Sequence, residues 1–281
     1  MQLATINGAT LRYEVLGNKG PLMALSPGGR REMGNVRGLA EKMASAGYRV
    51  LIHDRRNCGE SELAFDGSQP EYEIWADDLA ALLRHLFAAP AIIGGGSSGA
   101  RLAMLFALKY TCGVKALLLW RVTGGAFAAQ RLTEQYYDQY IRAAQQGGMP
   151  AVAATEHFAQ RILDNPRNRQ LLYAVDPQDF IAVMEKWRSA FIASADFPVI
   201  GATERELNLI NVPTCIIPGN DKTHSHVTGD AAHRMIRGSE LHDLWPGDLD
   251  IDLFPSDDWA AKEDKQAAIF IDFLKRKGLN A

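Results

Sequence analysis

The sequence predicts an α/β fold in which a mostly parallel sheet is flanked by helices and a helical cap is inserted after the sixth strand. Two observations support this prediction. Through the first part of the 281 residues, short apolar runs alternate with helical patterns, and uninterrupted apolar runs are typical of parallel strands buried on both faces. The alternation stops at about residue 122, and strand patterns return only at residue 213.

The sequence patterns of the first part of the chain predict most of the strands of the sheet and the helices between them. Two strand patterns surround an Asn7-Gly8 turn, which is a strong hairpin signal. The patterns that follow alternate between strand and helix, as parallel βαβ units require. In order, they are strand 22–26, helix 36–47, strand 49–54, helix 72–88, strand 90–95, helix 98–110 and strand 114–120.

The sequence patterns of the second part of the chain predict the helical cap and the last strands of the sheet. Helical patterns without a convincing strand cover 131–146, 151–163 and 179–194. Strand patterns follow at 213–219 and 240–245, and an amphipathic helix closes the chain at 261–278. We therefore expect a core formed by residues 1–122 and 211–281, and a helical cap formed by residues 123–210.

Composition and charge exclude several classes of function. Lys and Arg number 30 against 33 Asp and Glu, a net charge of -3, which gives no basis for nucleic-acid binding. We find neither a signal-peptide pattern nor an apolar run long enough to cross a bilayer, and therefore expect a cytoplasmic protein without a membrane partner. Cys58, Cys112 and Cys215 are scattered, so we expect no disulfide framework, no metal site and no cofactor.

The glycine-rich turn IIGGGSSGARLA at 92–103 has two interpretations. Gly94, Gly96 and Gly99 satisfy the dinucleotide-binding pattern G-x-G-x-x-G, and Arg121 could accept the 2'-phosphate of NADP. That pattern would lie on the fifth strand rather than the first, and the usual acid about 20 residues later is missing. An NADP-linked oxidoreductase is therefore the remote alternative.

The same turn also satisfies G-x-S-x-G, in which a serine nucleophile lies on a sharp turn between a strand and a helix. Ser97 and Ser98 both have small neighbours, so the motif alone does not choose between them. Counted from Ser97, the helix places small residues at positions +2, +3, +6 and +10, on one slim face that could pack closely on the sheet. This favours Ser97.

Four segments together resemble the α/β-hydrolase fold family over nearly the whole chain. DRRNCGESE at 54–62 is similar to the family's turn after the fourth strand, and SPGGRRE at 26–32 occupies the place of its His-Gly loop. The elbow SSGA is similar to that of small-molecule esterases and lactonases, and IIPGNDKTHS at 216–225 is similar to the segment that carries the catalytic acid. The cap also falls where the family inserts one.

The resemblance implies a catalytic machinery with one departure from the family pattern. Ser97 would be the nucleophile and Asp221 the acid. The oxyanion donors would be the N–H groups of Ser98 and Gly29, with Gly28 or Arg30 as alternatives to Gly29. The family's histidine follows the last strand, but this chain has the acidic segment WPGDLDIDLF there.

The general base must therefore come from elsewhere. His224 and His226 follow Asp221 on a loop expected beside the nucleophile, and we choose His224 as the base. Because an acid three residues before its histidine could orient it poorly, a second hypothesis gives the orienting role to Asp250. Arg101 and Arg121 could bind an anionic substrate or a structural carboxylate, and their sequence positions leave both roles open.

These residues predict a serine hydrolase that acts through an acyl-enzyme on an ester, lactone or activated ketone. An apolar roof under the cap favours a medium-sized, partly hydrophobic small molecule as the substrate. The missing histidine motivates the alternative of a lyase, a cofactor-free oxygenase or a ligand-binding protein with the same fold. The oligomeric state stays open, with a homodimer among the options.

Overall fold

The computed structural model describes residues 1–280, and its centre is an eight-stranded sheet with the order β1-β2-β4-β3-β5-β6-β7-β8. The pairs β1–β2 and β2–β4 are antiparallel. All the other neighbouring pairs in this order are parallel. The strands are β1 Gln2–Ile6, β2 Ala9–Leu16, β3 Leu22–Ser26, β4 Arg49–His53, β5 Ala91–Gly96, β6 Val114–Trp120, β7 Thr214–Ile217 and β8 Glu240–Leu241.

Helices cover both faces of the sheet because successive strand residues point to opposite sides. In β6, Leu117 and Leu119 belong to the core on the side of α2 (Glu71–His85) and α3 (Ser98–Lys109), whereas Leu118 belongs to the core on the side of α1 (Arg37–Ser45) and α12 (Glu263–Arg276). The helices of the two layers are α1 Arg37–Ser45, α2 Glu71–His85, α3 Ser98–Lys109, α10 His226–Met235 and α12 Glu263–Arg276, with a short α11 Ser256–Ala260. The predicted mostly parallel sheet flanked by helices is confirmed.

Six helices and a π-helical turn lie between β6 and β7. They are α4 Gly125–Thr133, the π turn Glu134–Asp138, α5 Gln139–Ala153, α6 Glu156–Asp164, α7 Arg167–Tyr173, α8 Pro177–Ala193 and α9 Glu204–Leu207. Helix α5 is kinked where Gly148 has a φ of 62°. Aromatic packing holds these helices together: the ring of Phe180 lies 5.0 Å from Phe65 and 6.1 Å from Phe158.

The last strand is shorter than the sequence predicts. The apolar pattern predicted a strand over 240–245, but only Glu240 and Leu241 pair with β7. One further hydrogen bond, from the His242 N–H to the Ile216 carbonyl at 2.9 Å, ends the pairing. Pro246, which has no N–H to donate, follows shortly afterwards.

Within residues 1–280, no helix combines the length and the apolar character needed to cross a membrane.

Candidate active site

The turn between β5 and α3 holds Ser97 in a strained conformation. Its φ and ψ are 56° and -116°, a combination that is costly for a residue with a Cβ. The turn is tight because its glycines leave no room for side chains: a Cβ on Gly95 would overlap the backbone of Gly99, and a Cβ on Gly99 would overlap the carbonyl of Ser26. The G-x-S-x-G glycines therefore let the turn press against β3 and present the hydroxyl of Ser97.

Three side chains meet at this turn. The Oγ of Ser97 lies 2.9 Å from the Nε2 of His224, and the Nδ1 of His224 lies 3.0 Å from the Oδ1 of Asp221. With Nδ1–H donating to the carboxylate, Nε2 is free to accept the proton of the serine hydroxyl. The structure thus brings Ser97, His224 and Asp221 together in the order of a nucleophile, a base and an orienting acid.

The three-residue spacing between acid and base is compatible with good orientation because Asp221 also closes its own loop. The backbone N–H of His224 donates to Asp221 Oδ1 at 2.7 Å. The same carboxylate therefore fixes both the backbone and the ring of the histidine. The concern that this spacing could orient the histidine poorly has no geometric basis here.

The carboxylate of Asp221 is fully buried and has two further partners. Its Oδ2 accepts from the Nη2 of Arg121 at 2.9 Å and from the N–H of Phe254 at 2.8 Å. Burial alone would raise the pKa of Asp221, but its hydrogen bonds with His224 and Phe254 and the charge of Arg121 hold that pKa well below its usual range. Asp221 therefore stays ionised and orients His224.

The pKa of His224 is lowered to about 4, chiefly because burial disfavours the charged ring, although the hydrogen bond with Asp221 opposes the shift. The ring is consequently neutral at pH 7. A neutral imidazole within hydrogen-bond distance of a hydroxyl is the state that a general base needs.

Ser98 has a different role from Ser97. Its Oγ donates to the carbonyl of Gly29 at 2.8 Å and accepts from the Nη1 of Arg55 at 3.0 Å, so the hydroxyl ties the nucleophile turn to the loop after β3. Ser98 is also the first residue of α3, where backbone N–H groups have no partner within the helix. That N–H is available to an oxyanion.

The loop after β3 places Gly28, rather than Gly29, against the nucleophile. A Cβ on Gly28 would lie 3.1 Å from the Cβ and 3.7 Å from the Oγ of Ser97, whereas a Cβ on Gly29 would face the hydroxyl of Tyr136. Gly28 therefore packs against the nucleophile turn, and both glycines line the cavity beside it. The second oxyanion donor stays a prediction, with Gly28 the nearer of the two candidates to Ser97. The side chain of Arg30 turns away to pair with Glu71 at 2.9 Å.

Asp250 does not lie beside the histidine, so the hypothesis that it orients His224 is corrected. Its side chain is 92% exposed and pairs with the Nζ of Lys222 at 2.6 Å. The other loop histidine, His226, also turns away from the serine, with its Nε2 lying 2.8 Å from Asp243 Oδ1.

The two arginines of the sequence analysis both have structural partners. Arg101 is buried, and it donates to the carbonyl of Ile200 and the hydroxyl of Thr123 at 3.0 and 2.9 Å. Of the two roles left open for Arg101, the structure supports the structural one, because these partners hold its guanidinium away from the cavity beside the serine. Arg121 lines that cavity, but it is engaged by Asp221 and by the carbonyl of Phe254.

A cavity of about 160 Å³ opens beside Ser97, under helix α4 and the π turn. Apolar walls come from both the sheet side and the inserted helices. They include Val36, Leu39, Trp120, Leu132, Tyr136 and Trp259. A second, larger cavity of about 720 Å³ adjoins it and shares Gly29, Arg31, Asn35, Gln135 and Tyr136 with it.

The sequence analysis missed two charged residues of the first cavity, Arg31 and Arg131. Arg31 lies in the loop that was identified, but no pattern distinguished it from a solvated side chain. Arg131 lies in an amphipathic helix pattern, where a single arginine is ordinarily exposed. Only the way α4 crosses the carboxyl edge of the sheet brings it to the cavity.

Comparison with protein families gives one match over most of the chain. The sequence profile of a family described as serine aminopeptidase, S33, matches residues 19–223. This range contains Ser97 and Asp221 and ends one residue before His224.

Curated relatives match a shorter part of the chain. A proline iminopeptidase of Lactiplantibacillus plantarum is 26% identical over 157 residues, which cover 54% of this chain and 53% of that protein. A proline iminopeptidase of the fungus Pestalotiopsis fici is 34% identical over 125 residues, 42% of this chain and 43% of that protein. The matched region thus spans about half the length of these relatives or less.

Solved structures match almost the full length. The enol-lactonase of Burkholderia xenovorans LB400 has a TM-score of 0.66 at 18% identity, covering 98% of this chain and 100% of that chain. A thermophilic esterase of Thermogutta terrifontis has a TM-score of 0.67 at 20% identity, covering 99% of both chains. At this identity, the likeness establishes a shared fold.

Proposed function

We propose, since the chain belongs to the serine aminopeptidase S33 family of α/β hydrolases, that Ser97 cleaves a carboxylic ester or lactone through an acyl-enzyme. His224 is the general base, and Asp221 orients it. The observation that carries the proposal is the contact of 2.9 Å between Ser97 Oγ and His224 Nε2. It supplies the nucleophile and base that acyl transfer needs.

The reaction follows from these positions. Ser97 Oγ attacks the carbonyl carbon while its proton passes to His224 Nε2, and the carbonyl oxygen becomes an oxyanion. The N–H groups of Ser98 and Gly28 stabilise that charge. His224 then protonates the leaving alkoxide as the acyl-enzyme forms. A water molecule, deprotonated by His224, attacks the acyl-enzyme and releases the carboxylic acid with the serine restored.

A non-hydrolytic role loses its motive in this geometry. That alternative rested on the absence of a histidine after the last strand. His224 lies on a different loop, and its ring is within hydrogen-bond distance of Ser97. Aminopeptidase activity is the second candidate, because the family description and the two curated relatives carry that activity in their names.

A serine-directed fluorophosphonate probe and a short aryl ester test the proposal. We expect the wild type to be labelled and to hydrolyse 4-nitrophenyl butyrate, and Ser97→Ala to lose labelling and at least about 10³-fold of turnover. Ser98→Ala keeps its backbone N–H, so it should still be labelled, although more slowly. A wild type that is folded by circular dichroism, yet neither labelled nor active on the ester, would contradict the proposal.

A further inference from the structure

The cavity beside Ser97 contains two arginines that have no carboxylate partner. Arg131, on α4, makes no ion pair and no side-chain hydrogen bond with any residue from 1 to 280. Arg31, on the loop after β3, donates only to neutral groups, the Oδ1 of Asn35 at 3.1 Å and the Oγ of Ser256 at 2.7 Å. Neither guanidinium group is paired with a carboxylate; Arg131 is half-buried, and Arg31 is exposed to solvent.

The other charged residues that line the cavity reduce this excess without removing it. The charge of Arg121 is balanced by Asp221 at 2.9 Å. The only carboxylate among the lining residues is Glu263; its Oε1 lies 3.8 Å from the Nζ of Lys42, which pairs more closely with Asp264 at 2.7 Å. Arg31 and Arg131 thus face a single carboxylate, and the cavity at the nucleophile keeps an excess of positive charge.

The two arginines come from different sides of the cavity. Arg31 belongs to the core and Arg131 to the inserted helices, which cover the carboxyl edge of the sheet. The positive charge of Arg131 also contributes, after burial and other effects, to lowering the pKa of His224. Arg131 therefore lies within electrostatic range of the general base.

We propose that this cavity selects esters that carry a carboxylate, which Arg131 and Arg31 bind while the ester carbonyl lies at Ser97. The inference rests on the proposed function and names its substrate class. A guanidinium and a carboxylate form strong, directional, charge-assisted hydrogen bonds. Such a pair gains more in a partly enclosed cavity than on an open surface, because water screens it less.

The same charges disfavour an aminopeptidase substrate. The free N-terminus of a peptide is an ammonium group at neutral pH. The guanidinium groups of Arg31 and Arg131 outnumber the single lining carboxylate and would repel that ammonium. The charge of the cavity therefore separates this chain from the activity named for its curated relatives.

The cavity beside the serine has room for a small group and adjoins the larger cavity. A volume of about 160 Å³ is close to that of an engineered cavity that holds one benzene molecule, roughly 150 Å³. A carboxylate on a short chain or a single ring would fit. The half-ester of a five-carbon dicarboxylic acid is a suitable probe.

Pairs of esters in which one carboxylate is replaced by a neutral group test the inference. For the acyl side, the pair is 4-nitrophenyl hemiglutarate and 4-nitrophenyl pentanoate; for the leaving group, it is 4-carboxyphenyl butyrate and 4-carbamoylphenyl butyrate. We expect the wild type to prefer the anionic member of at least one pair by about tenfold or more in kcat/KM, the effect of a hydrogen bond between charged groups. Proline 4-nitroanilide should be a poor substrate.

Substitutions of single arginines show whether Arg131 produces the preference for anionic esters. Arg131→Gln should lower the ratio of anionic to neutral kcat/KM by about ten- to a hundredfold, and Arg131→Lys should lower it less. Arg237→Gln is the matched control: it removes an equal charge from an exposed position beyond the end of α10, and it should leave the ratio unchanged. Equal losses in the two arginine-to-glutamine variants would overturn the assignment to Arg131.

The outcomes separate this inference from the proposed function. Hydrolysis that depends on Ser97 but shows no anionic preference, or a preference for proline 4-nitroanilide, overturns the inference and leaves a serine hydrolase. If no ester is cleaved, calorimetry with monomethyl glutarate still decides the charge selection. Tighter binding to Ser97→Ala than to Ser97→Ala/Arg131→Gln supports it, and equal or absent binding overturns it.

Discussion

At the scale of single residues, Asp221 contacts both the backbone and the ring of His224. It accepts from the backbone N–H of His224 and also contacts the ring Nδ1. An acid and a base three residues apart can therefore cooperate, since the acid shapes the turn that returns the ring toward it. Arg121 and the N–H of Phe254 fix the other carboxylate oxygen.

The two candidate acids make different predictions. We expect Asp221→Asn to lower kcat by about 10⁴-fold, because the amide favours the wrong imidazole tautomer while keeping the size of the side chain. Asp250→Asn should leave kcat within about twofold of the wild type, since this exposed side chain contacts Lys222 rather than His224. Turnover of a soluble aryl ester is the measurement.

Thermal unfolding provides the control for this pair. Asp221 also holds the loop, so each variant must be assayed well below its own Tm. If Asp250→Asn lost activity as severely as Asp221→Asn while remaining folded, the assignment of the acid would be wrong.

Part of this site could be predicted from the sequence. Whether a residue could be predicted depended on a different physical reason in each case. Ser97 lies in a motif whose glycines are required by the turn itself, so its spacing could be recognised. Gly28 could not be separated from Gly29, because only the packing of the loop against the turn distinguishes them. Arg131 carried no local signal, since its role depends on how α4 crosses the sheet.

At the scale of elements, the segment after β8 supports the loop that carries Asp221 and His224. The N–H groups of Lys222 and Thr223 donate to the carbonyls of Ile251 and Asp252 at 2.9 and 3.3 Å. Phe254 then adds its N–H to the acid. The two loops are thereby held side by side, with the histidine on the first of them.

The strands and helices of the core were predictable because burial imposes a strict pattern on them. Helix α3 shows this most clearly: Gly99, Ala100 and Ala103, the small residues counted from Ser97, are all buried against the sheet. The segment 240–245 shows the opposite case. Its apolar residues resembled a strand, but an edge position and the following Pro246-Gly247 end the pairing after two residues.

At the scale of the whole molecule, the buried His53 and His224 and the half-buried His157 make stability depend on pH. Burial lowers the pKa of His53 to about 3 and that of His224 to about 4, and it holds the pKa of His157 well below its usual value. In the unfolded chain each ring would titrate near its ordinary pKa of about 6.5. Between pH 6.5 and 5 the unfolded chain therefore binds more protons than the folded one.

We expect the contribution of these neutral histidines to the free energy of unfolding to be complete above pH 6.5. The free energy of unfolding should fall as the pH drops from 6.5 to 5. Each of these histidines contributes up to about 1.4 kcal/mol per pH unit. His53→Leu removes one of the three without placing a polar group in the core, so it should reduce the slope by roughly a third. Urea unfolding at several pH values measures it.

The matched control for stability is His85→Gln, at an exposed position near the end of α2. It should leave the slope as in the wild type. A wild type whose unfolding free energy is constant between pH 6.5 and 5 would show that these rings take up protons in the folded protein as they do in the unfolded chain. That result would contradict the lowered pKa values of the three rings.

The central claim is that His224, which lies on the loop after β7, activates Ser97. The most direct measurement is the rate at which a fluorophosphonate labels Ser97 in the wild type, in His224→Gln and in His226→Gln. The account predicts that His224→Gln slows labelling by at least about 10³-fold and that His226→Gln stays within about twofold of the wild type. Rapid labelling of a folded His224→Gln, or an equal loss in His226→Gln, would contradict it.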